Sequence, residues 1–283
     1  MPKGLQDHQQ DSLRIAAIVP AYNEAKGIAR VLEVLCQVGI LSEIIVVDDG
    51  STDSTVIRVQ ERAETDVRIR LIRHPDNIGK GQAIFTASKS TQAPILLILD
   101  ADLIGLAPVH IHALIEPVHK READMSLGLF KGGHILTDFS HWIAPWLSGQ
   151  RCFEAEILSR VDADAAAGYG FETALTAAAT YAGLESRVVP MHGVWHPPSE
   201  FHRDPLYAGF WRLRMYAHII RAWYLTGGWT ALKKKIRKRF GFYIAIFLVL
   251  SFVLQRSSLT YTPSTSVRKG LDSRPVPVEI LST

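Results

Sequence analysis

The N-terminal third of the chain alternates short apolar runs with stretches of helical period. Ile15 to Pro20 (IAAIVP) and Ile44 to Val47 (IIVV) are β-branched and almost free of polar positions, which marks strands covered on both faces. Between them, Ala25 to Val38 sets Ile28, Val31, Leu32, Leu35 and Cys36 at helical spacing. The pattern recurs, with a helix predicted over Thr52 to Arg62, a strand over Val67 to Ile72, a helix over Gly81 to Ser90 and a fourth buried strand over Pro94 to Leu99 (PILLIL). Strands joined through helical crossovers run parallel. The expected fold is therefore α/β, an open, mostly parallel Rossmann-like sheet with helices on both faces. Ligands of such sheets lie beyond the carboxyl ends of the strands. The residues found there are Ala21-Tyr22-Asn23-Glu24, Asp48 to Ser51, His74 to Lys80, and Asp100-Ala101-Asp102.

The second half is less regular. Met125 to Leu129 predicts a strand, Gln150 to Leu158 and Phe171 to Ala182 predict helices, and Ser186 to Met191 a late strand. Asp204 to Leu225 interleaves aromatic residues with arginines, a pattern shared by interfacial helices and core-packed ones. Beyond Arg256 serine, threonine and proline accumulate and periodicity vanishes, which predicts a disordered tail over 256–283. The expected plan is a flexible segment 1–13, an α/β domain over 14–200, a basic, aromatic and apolar segment over 201–255, and the tail.

Composition narrows the class. With 283 residues, 47% of them apolar and 21% charged, the chain is an ordinary globular protein and is neither a disordered nor a collagenous one. Its two cysteines, Cys36 and Cys152, lie far apart and form no CxxC pair, which excludes a cysteine zinc site and favours a reducing, cytosolic setting.

Charge is unevenly spread. The formal net charge is +3, but the stretch from Arg203 to Arg239 holds ten basic residues and one acid, leaving −6 on the remainder. Such a stretch seeks an anionic partner, nucleic acid or phospholipid. It runs directly into Phe240 to Gln255 (FGFYIAIFLVLSFVLQ), sixteen residues without a charge, and polybasic followed by apolar is a membrane signature. As a helix this run reaches about 24 Å, short of the roughly 30 Å hydrocarbon core. It would cross a thinned bilayer, dip into one leaflet or pack against protein. The expectation is an anionic membrane surface as partner, no nucleic acid, and C-terminal attachment to the cytoplasmic face, because Met1 to Arg14 has no apolar run of the signal-peptide kind.

Three strand ends carry chemistry. Asp100-Ala101-Asp102 puts two carboxylates after a buried strand, on one side if the strand continues, and their repulsion is relieved by a divalent cation of the Mg²⁺ or Mn²⁺ kind. Asp48-Asp49-Gly50-Ser51-Thr52-Asp53 supplies more acids than a helix cap needs, with Ser51 or Asp53 available for the cap itself. In Asn77-Ile78-Gly79-Lys80-Gly81 two glycines permit close backbone approach and Lys80 suits a phosphate.

The ordered series VPAYNE, VVDDGSTD, NIGKGQAI and LDADL resembles the nucleotide-sugar-binding half of family 2 glycosyltransferases with the GT-A fold, here over 14–103. The likeness continues through LSGQRCF (147–153) and GYGFETAL (168–175) in the half over 104–200. These segments are similar to those of transferases that act on polyprenyl and dolichyl phosphates. The resemblance implies a nucleoside diphosphate sugar as donor, a lipid or polyprenyl-phosphate acceptor and a divalent cation, Mg²⁺ or Mn²⁺. It places Pro20, Ala21, Tyr22 and Glu24 along the nucleotide, Asp49 or its neighbour Asp48 at the base edge, Lys80 near the diphosphate, Asp100 with Ala101 at ribose or sugar, and Asp102 on the metal. The sequence departs from the dolichyl-phosphate pattern at Ile104, where a glutamine is common. His196, in Val194 to Pro198 after the last predicted strand, is the candidate for the missing metal ligand, ahead of His192 and His202.

Chemistry at an anomeric carbon needs a stabilised leaving diphosphate and an acceptor oxygen. A hydroxyl acceptor requires a base, whereas a phosphate oxygen is already ionised. The resemblance offers Glu172 as the late acid and Arg151 as a cation near a donor or acceptor phosphate. The rival expectations are a transferase for a soluble acceptor, a nucleotidyltransferase on a similar sheet, and a catalytically inactive membrane adaptor with the same fold. The motif PAYNEAKG, where a nucleotidyltransferase would carry a glycine-rich basic loop, and the retained Asp102 speak against the last two.

Overall fold

The computed structural model describes residues 14–131, 148–162, 166, 170–195 and 197. The expected segments 1–13, 204–225, 240–255 and 256–283, and His196, lie outside the described residues. Among the described residues the order is β1 (Ile15–Ala21), α1 (Ile28–Cys36), β2 (Glu43–Asp48), α2 (Thr55–Ala63), β3 (Ile69–Arg73), α3 (Lys80–Lys89), β4 (Ile95–Ile98), α4 (Pro108–His119), β5 (Met125–Lys131), β6 (Arg151–Glu154), a 3-10 helix (Ala155–Arg160), α5 (Phe171–Tyr181) and β7 (Ser186–His192).

The seven strands form one sheet in the order β3-β2-β1-β4-β6-β5-β7. β1, β2, β3 and β4 are mutually parallel, β6 runs antiparallel to both of its neighbours, and β5 pairs with β7 in parallel. Alternation along β1 divides the core. Ile15, Ala17 and Val19 pack with Ile28, Leu32 and Leu35 of α1 and Ile111 and Leu114 of α4. Ala16 and Ile18 pack on the other face with Ile84 of α3 and Phe171 and Leu175 of α5. Both faces are covered, which is why the central strands read as continuous apolar runs.

Two expectations are corrected. Gln150 to Leu158 forms no α-helix: its first part is β6, which pairs Cys152 with Leu97 and Arg151 with Ile98, and a 3-10 helix follows. The apolar spacing there suits either element, and pairing with a strand more than fifty positions earlier decides between them. The second correction concerns the acids after β4. That strand ends at Ile98, and Asp100 to Asp102 lie in a turn rather than in its extension. The turn passes beneath the start of α1 so closely that a Cβ on Gly27 would overlap the Ala101 carbonyl oxygen. Helix α4 is absent from the sequence expectation, although Pro108 opens it and Ile111, Leu114, Ile115 and Val118 form its buried stripe at helical spacing.

Candidate active site

The carboxyl ends of β1, β2 and β4 meet at one edge, and side-chain hydrogen bonds lace their loops together. Asn23, held at φ 57°, accepts from the Thr52 backbone N–H on its side-chain oxygen at 2.8 Å and donates its own backbone N–H to Ser51 Oγ at 2.9 Å. Thr55 Oγ1 accepts from the Glu24 N–H at 2.8 Å, and Asp53 Oδ2 from the Ala25 N–H at 3.1 Å. Asp53 also accepts from the Thr55 N–H at 2.9 Å, a turn that leads into α2. Burial alone would push the Asp53 carboxyl up, but these bonds outweigh it and hold its pKa down. The motifs after β1 and β2 thus build one surface, with Pro20 half-buried, Ala21 buried beside Asp48 in register, and Tyr22 exposed above them.

The two acids after β2 differ. Asp49 is buried, and its carboxylate accepts from the Ile78 N–H at 3.1 Å and the Gly79 N–H at 2.7 Å. It also lies 2.8 Å from His74 Nδ1. It therefore holds the loop before α3, where Gly79 takes φ 102°. Asp48 is completely buried; its Oδ1 accepts from the Ser51 N–H at 3.3 Å. Its Oδ2 has no hydrogen-bond donor and stands 3.6 Å from Arg73 Nε. Of the pair left open by the sequence, Asp48 is the one with a carboxylate oxygen that no donor satisfies.

Lys80, the first residue of α3, sits between two carboxylates. Its Nζ is 2.6 Å from Asp100 Oδ1 and 2.7 Å from Glu172 Oε1. Burial pulls the lysine pKa down, yet Asp100 and Glu172 overcome it and raise it above the ordinary value. Glu172 is brought there by the packing of α5 on α3, where the rings of Phe85 and Phe171 meet edge to face with centroids 6.0 Å apart. Asp100 Oδ2 accepts from Gln150 Nε2 at 2.6 Å. Gln150 is a functional candidate absent from the sequence expectation, since it lies just before β6, where the apolar spacing predicts a helix.

Arg151, the expected phosphate-side cation, is turned into the protein. It is fully buried, donating from Nε to the Ser148 carbonyl at 2.8 Å and from the guanidinium to Thr176 Oγ1 at 2.8 Å. Burial lowers its pKa to about 10, with Glu172 acting in the opposite sense. Thr176 in turn donates to the Glu172 carbonyl at 2.8 Å, so Arg151 braces α5 from behind. The direction of β6 explains this, since Arg151 points into the core opposite Ile98.

Asp102 and Glu24 make a second acidic group. The Glu24 carboxyl is pushed up to about 7, first by burial and then by the nearby charges of Asp102, Asp53 and Asp100. Among the described residues no three His, Cys, Asp or Glu side chains form a metal-holding group. Mg²⁺ suits such a place, because it is commonly held by one or two carboxylates, waters and the phosphates of a substrate. Trp195, next to His196, exchanges both backbone hydrogen bonds with Ile104 at 2.7 and 3.0 Å, two positions beyond Asp102.

Among the described residues no helix is long and apolar enough to cross a membrane, and the run Phe240 to Gln255 lies outside them.

The family model described as Glycosyl transferase family 2 matches residues 16–171. A dolichyl-phosphate beta-glucosyltransferase of Trichomonas vaginalis is 37% identical over 111 residues, covering 36% of this chain and 33% of the relative. A dodecaprenyl-phosphate galacturonate synthase of Rhizobium johnstonii is 26% identical over 156 residues, 52% of this chain and 46% of the relative. The matches thus span less than half the length of these relatives. Among solved structures, the glucosyl-3-phosphoglycerate synthase of Mycobacterium tuberculosis with Mn²⁺, UDP and glucosyl-3-phosphoglycerate superposes with a TM-score of 0.60 at 22% identity. That superposition covers 78% of this chain and 85% of the other, and it establishes a shared fold.

Proposed function

The chain belongs to glycosyl transferase family 2, and on that premise we propose that it moves a sugar from a nucleoside diphosphate sugar to a lipid-linked, phosphate-bearing acceptor at the cytoplasmic face of a membrane. The observation that carries this reading is the division of charge beyond β4. Asp100 and Glu172 share the Lys80 ammonium, while burial and the charges of Asp102, Asp53 and Asp100 raise the Glu24 carboxyl against the opposing pull of Arg30. Crowded hard oxygens beside a phosphate-binding cation fit a metal-bound diphosphate.

Each residue has a part. The buried Asp48 Oδ2, with Arg73 beside it, is one acceptor flanked by one donor. That pattern matches a uracil edge, which presents an N–H between two carbonyls, better than the paired donors of guanine. Pro20, Ala21, Tyr22 and Glu24 line the nucleotide, and Asp49 keeps its loop in place. Lys80 draws the diphosphate, and Asp100 with Ala101 meets ribose or sugar. Asp102, joined by His196, would hold the divalent cation, which when bound stabilises charge on the departing diphosphate. In the transfer, an acceptor oxygen forms a bond to the anomeric carbon as the bond to diphosphate breaks, the electron pair leaving with the diphosphate. A phosphate oxygen needs no base for this step, in keeping with a Glu172 carboxylate that is committed to Lys80.

Support for the acceptor comes from the two polyprenyl- and dolichyl-phosphate relatives and from the basic and apolar segments at 233–255. The test is transfer from radiolabelled UDP-sugars with Mn²⁺ or Mg²⁺, comparing polyprenyl phosphate with 3-phosphoglycerate. Cation-dependent label in the lipid phase is the expected result, and label only in a soluble phosphorylated product would overturn the acceptor assignment.

A further inference from the structure

The segment Ser148-Gly149-Gln150 precedes β6. Because β6 is antiparallel to β4, with Arg151 opposite Ile98, the residues before β6 stand beside those after β4. Gln150 and Ser148 are each only 1% exposed. Gln150 Nε2 donates to Asp100 Oδ2 at 2.6 Å. Its Oε1 stands 3.2 Å from Ser148 Oγ, whose hydroxyl donates to the Gly128 carbonyl of β5 at 2.5 Å. The amide has one workable orientation, since a carboxylate can only accept and the NH₂ group must face it. Gly149 completes the fit, because a Cβ there would overlap Asp100 Oδ2 and crowd Lys80 Nζ. Asp100 is thus gripped through both oxygens, by Lys80 on Oδ1 and Gln150 on Oδ2.

We infer that Gln150 is a positioning residue for the donor site: it fixes the rotation of the Asp100 carboxylate so that Asp100 meets the donor already oriented. This rests on the donor reading above. The physical basis is that a buried carboxylate oxygen deprived of its donor incurs a desolvation cost and turns to find another partner. The amide sits immediately before β6 and is buried, which limits its freedom to turn.

The experiment is UDP binding in the presence of Mn²⁺, by calorimetry on the full chain, for wild type, Gln150→Met, Gln150→Glu, Asp100→Ala and the double variant Asp100→Ala/Gln150→Met. Gln150→Met should weaken UDP about tenfold in the wild-type background and change it by less than about twofold when Asp100 is already alanine, because interacting sites are not additive. Gln150→Glu, the same size as glutamine, should bind more weakly than Gln150→Met, since it sets two carboxylates face to face; a residue that merely fills space would give the reverse order. Equal penalties of Gln150→Met in both backgrounds, or a Gln150→Glu variant as good as wild type, would overturn the inference while leaving the donor reading intact. A wild-type protein that binds no UDP overturns both. Thermal unfolding of each variant identifies any that fail to fold, and either glutamine variant alone suffices to decide.

Discussion

Glu172 Oε1 accepts a hydrogen bond from Lys80 Nζ at 2.7 Å across 92 positions of sequence. A carboxylate that shares an ammonium with Asp100 is spoken for, and taking a substrate proton would mean giving up that pairing. Glu172→Gln keeps the size and loses the charge. With a polyprenyl-phosphate acceptor it should lower kcat by less than about tenfold, because an ionised acceptor needs no base. A loss of about 10² to 10⁴ fold in kcat with UDP affinity unchanged would instead make Glu172 the general base of a hydroxyl acceptor.

Asp102 lies in the turn after β4, half-buried and outside any strand or helix. Asp102→Ala should therefore leave the unfolding transition near that of wild type. Transfer should fall by at least about 10² fold, the scale on which lost electrostatic stabilisation of a transition state is felt. UDP binding should also stop responding to Mn²⁺. Activity retained in chelator-treated buffer would remove the metal from the reading.

The parts of the molecule that were legible from sequence are those with local causes. β1, β2 and β4 are buried on both faces, so their apolar runs announce them, and the acids after β2 and β4 follow from strand ends. Contacts that depend on distant pairing were hidden. Nothing within Gln150 to Leu158 says that Cys152 will face Leu97, so neither the Gln150 bond to Asp100 nor the burial of Arg151 could be derived before β6 was placed. Asn23 carried a signal that was available, since asparagine tolerates the left-handed conformation it adopts at φ 57°. Helix α4 was likewise open to view in the stripe Ile111, Leu114, Ile115 and Val118.

The Glu24 carboxyl, at about 7 in the folded protein against an ordinary 4.5, makes stability depend on pH. Between these values the folded state keeps a proton that the unfolded chain releases, so metal-free protein loses stability as pH rises from 4.5 through about 7. Glu24→Gln should remove this slope, leaving the variant more stable than wild type above about pH 7.5 and equal to it near pH 4.5. Mn²⁺ should restore wild-type stability at the higher pH, because a ligand of the folded state stabilises it. Urea unfolding at several pH values, with chelator or with Mn²⁺, measures all three effects. Parallel curves for variant and wild type would mean that Glu24 carries no such strain.

Membrane attachment, read from the sequence alone, separates into two terms. Lys233 to Arg239 holds six cations, each worth about 1 kcal/mol beside an anionic leaflet and weakened by salt. Phe240 to Leu254 is uncharged, and its apolar burial is not screened by salt. Replacing the six cations by glutamine should therefore weaken flotation with anionic liposomes at low salt and change little at high salt. Deleting 240–283 should release the protein at high salt while UDP binding persists, because Asp48, Lys80, Asp100 and Asp102 all precede the deletion. If the truncated protein still floats at high salt, the aromatic stretch Asp204 to Leu225 is the anchor; if the intact chain never floats, the apolar run serves a core or an interface between copies, and the acceptor must be sought in solution.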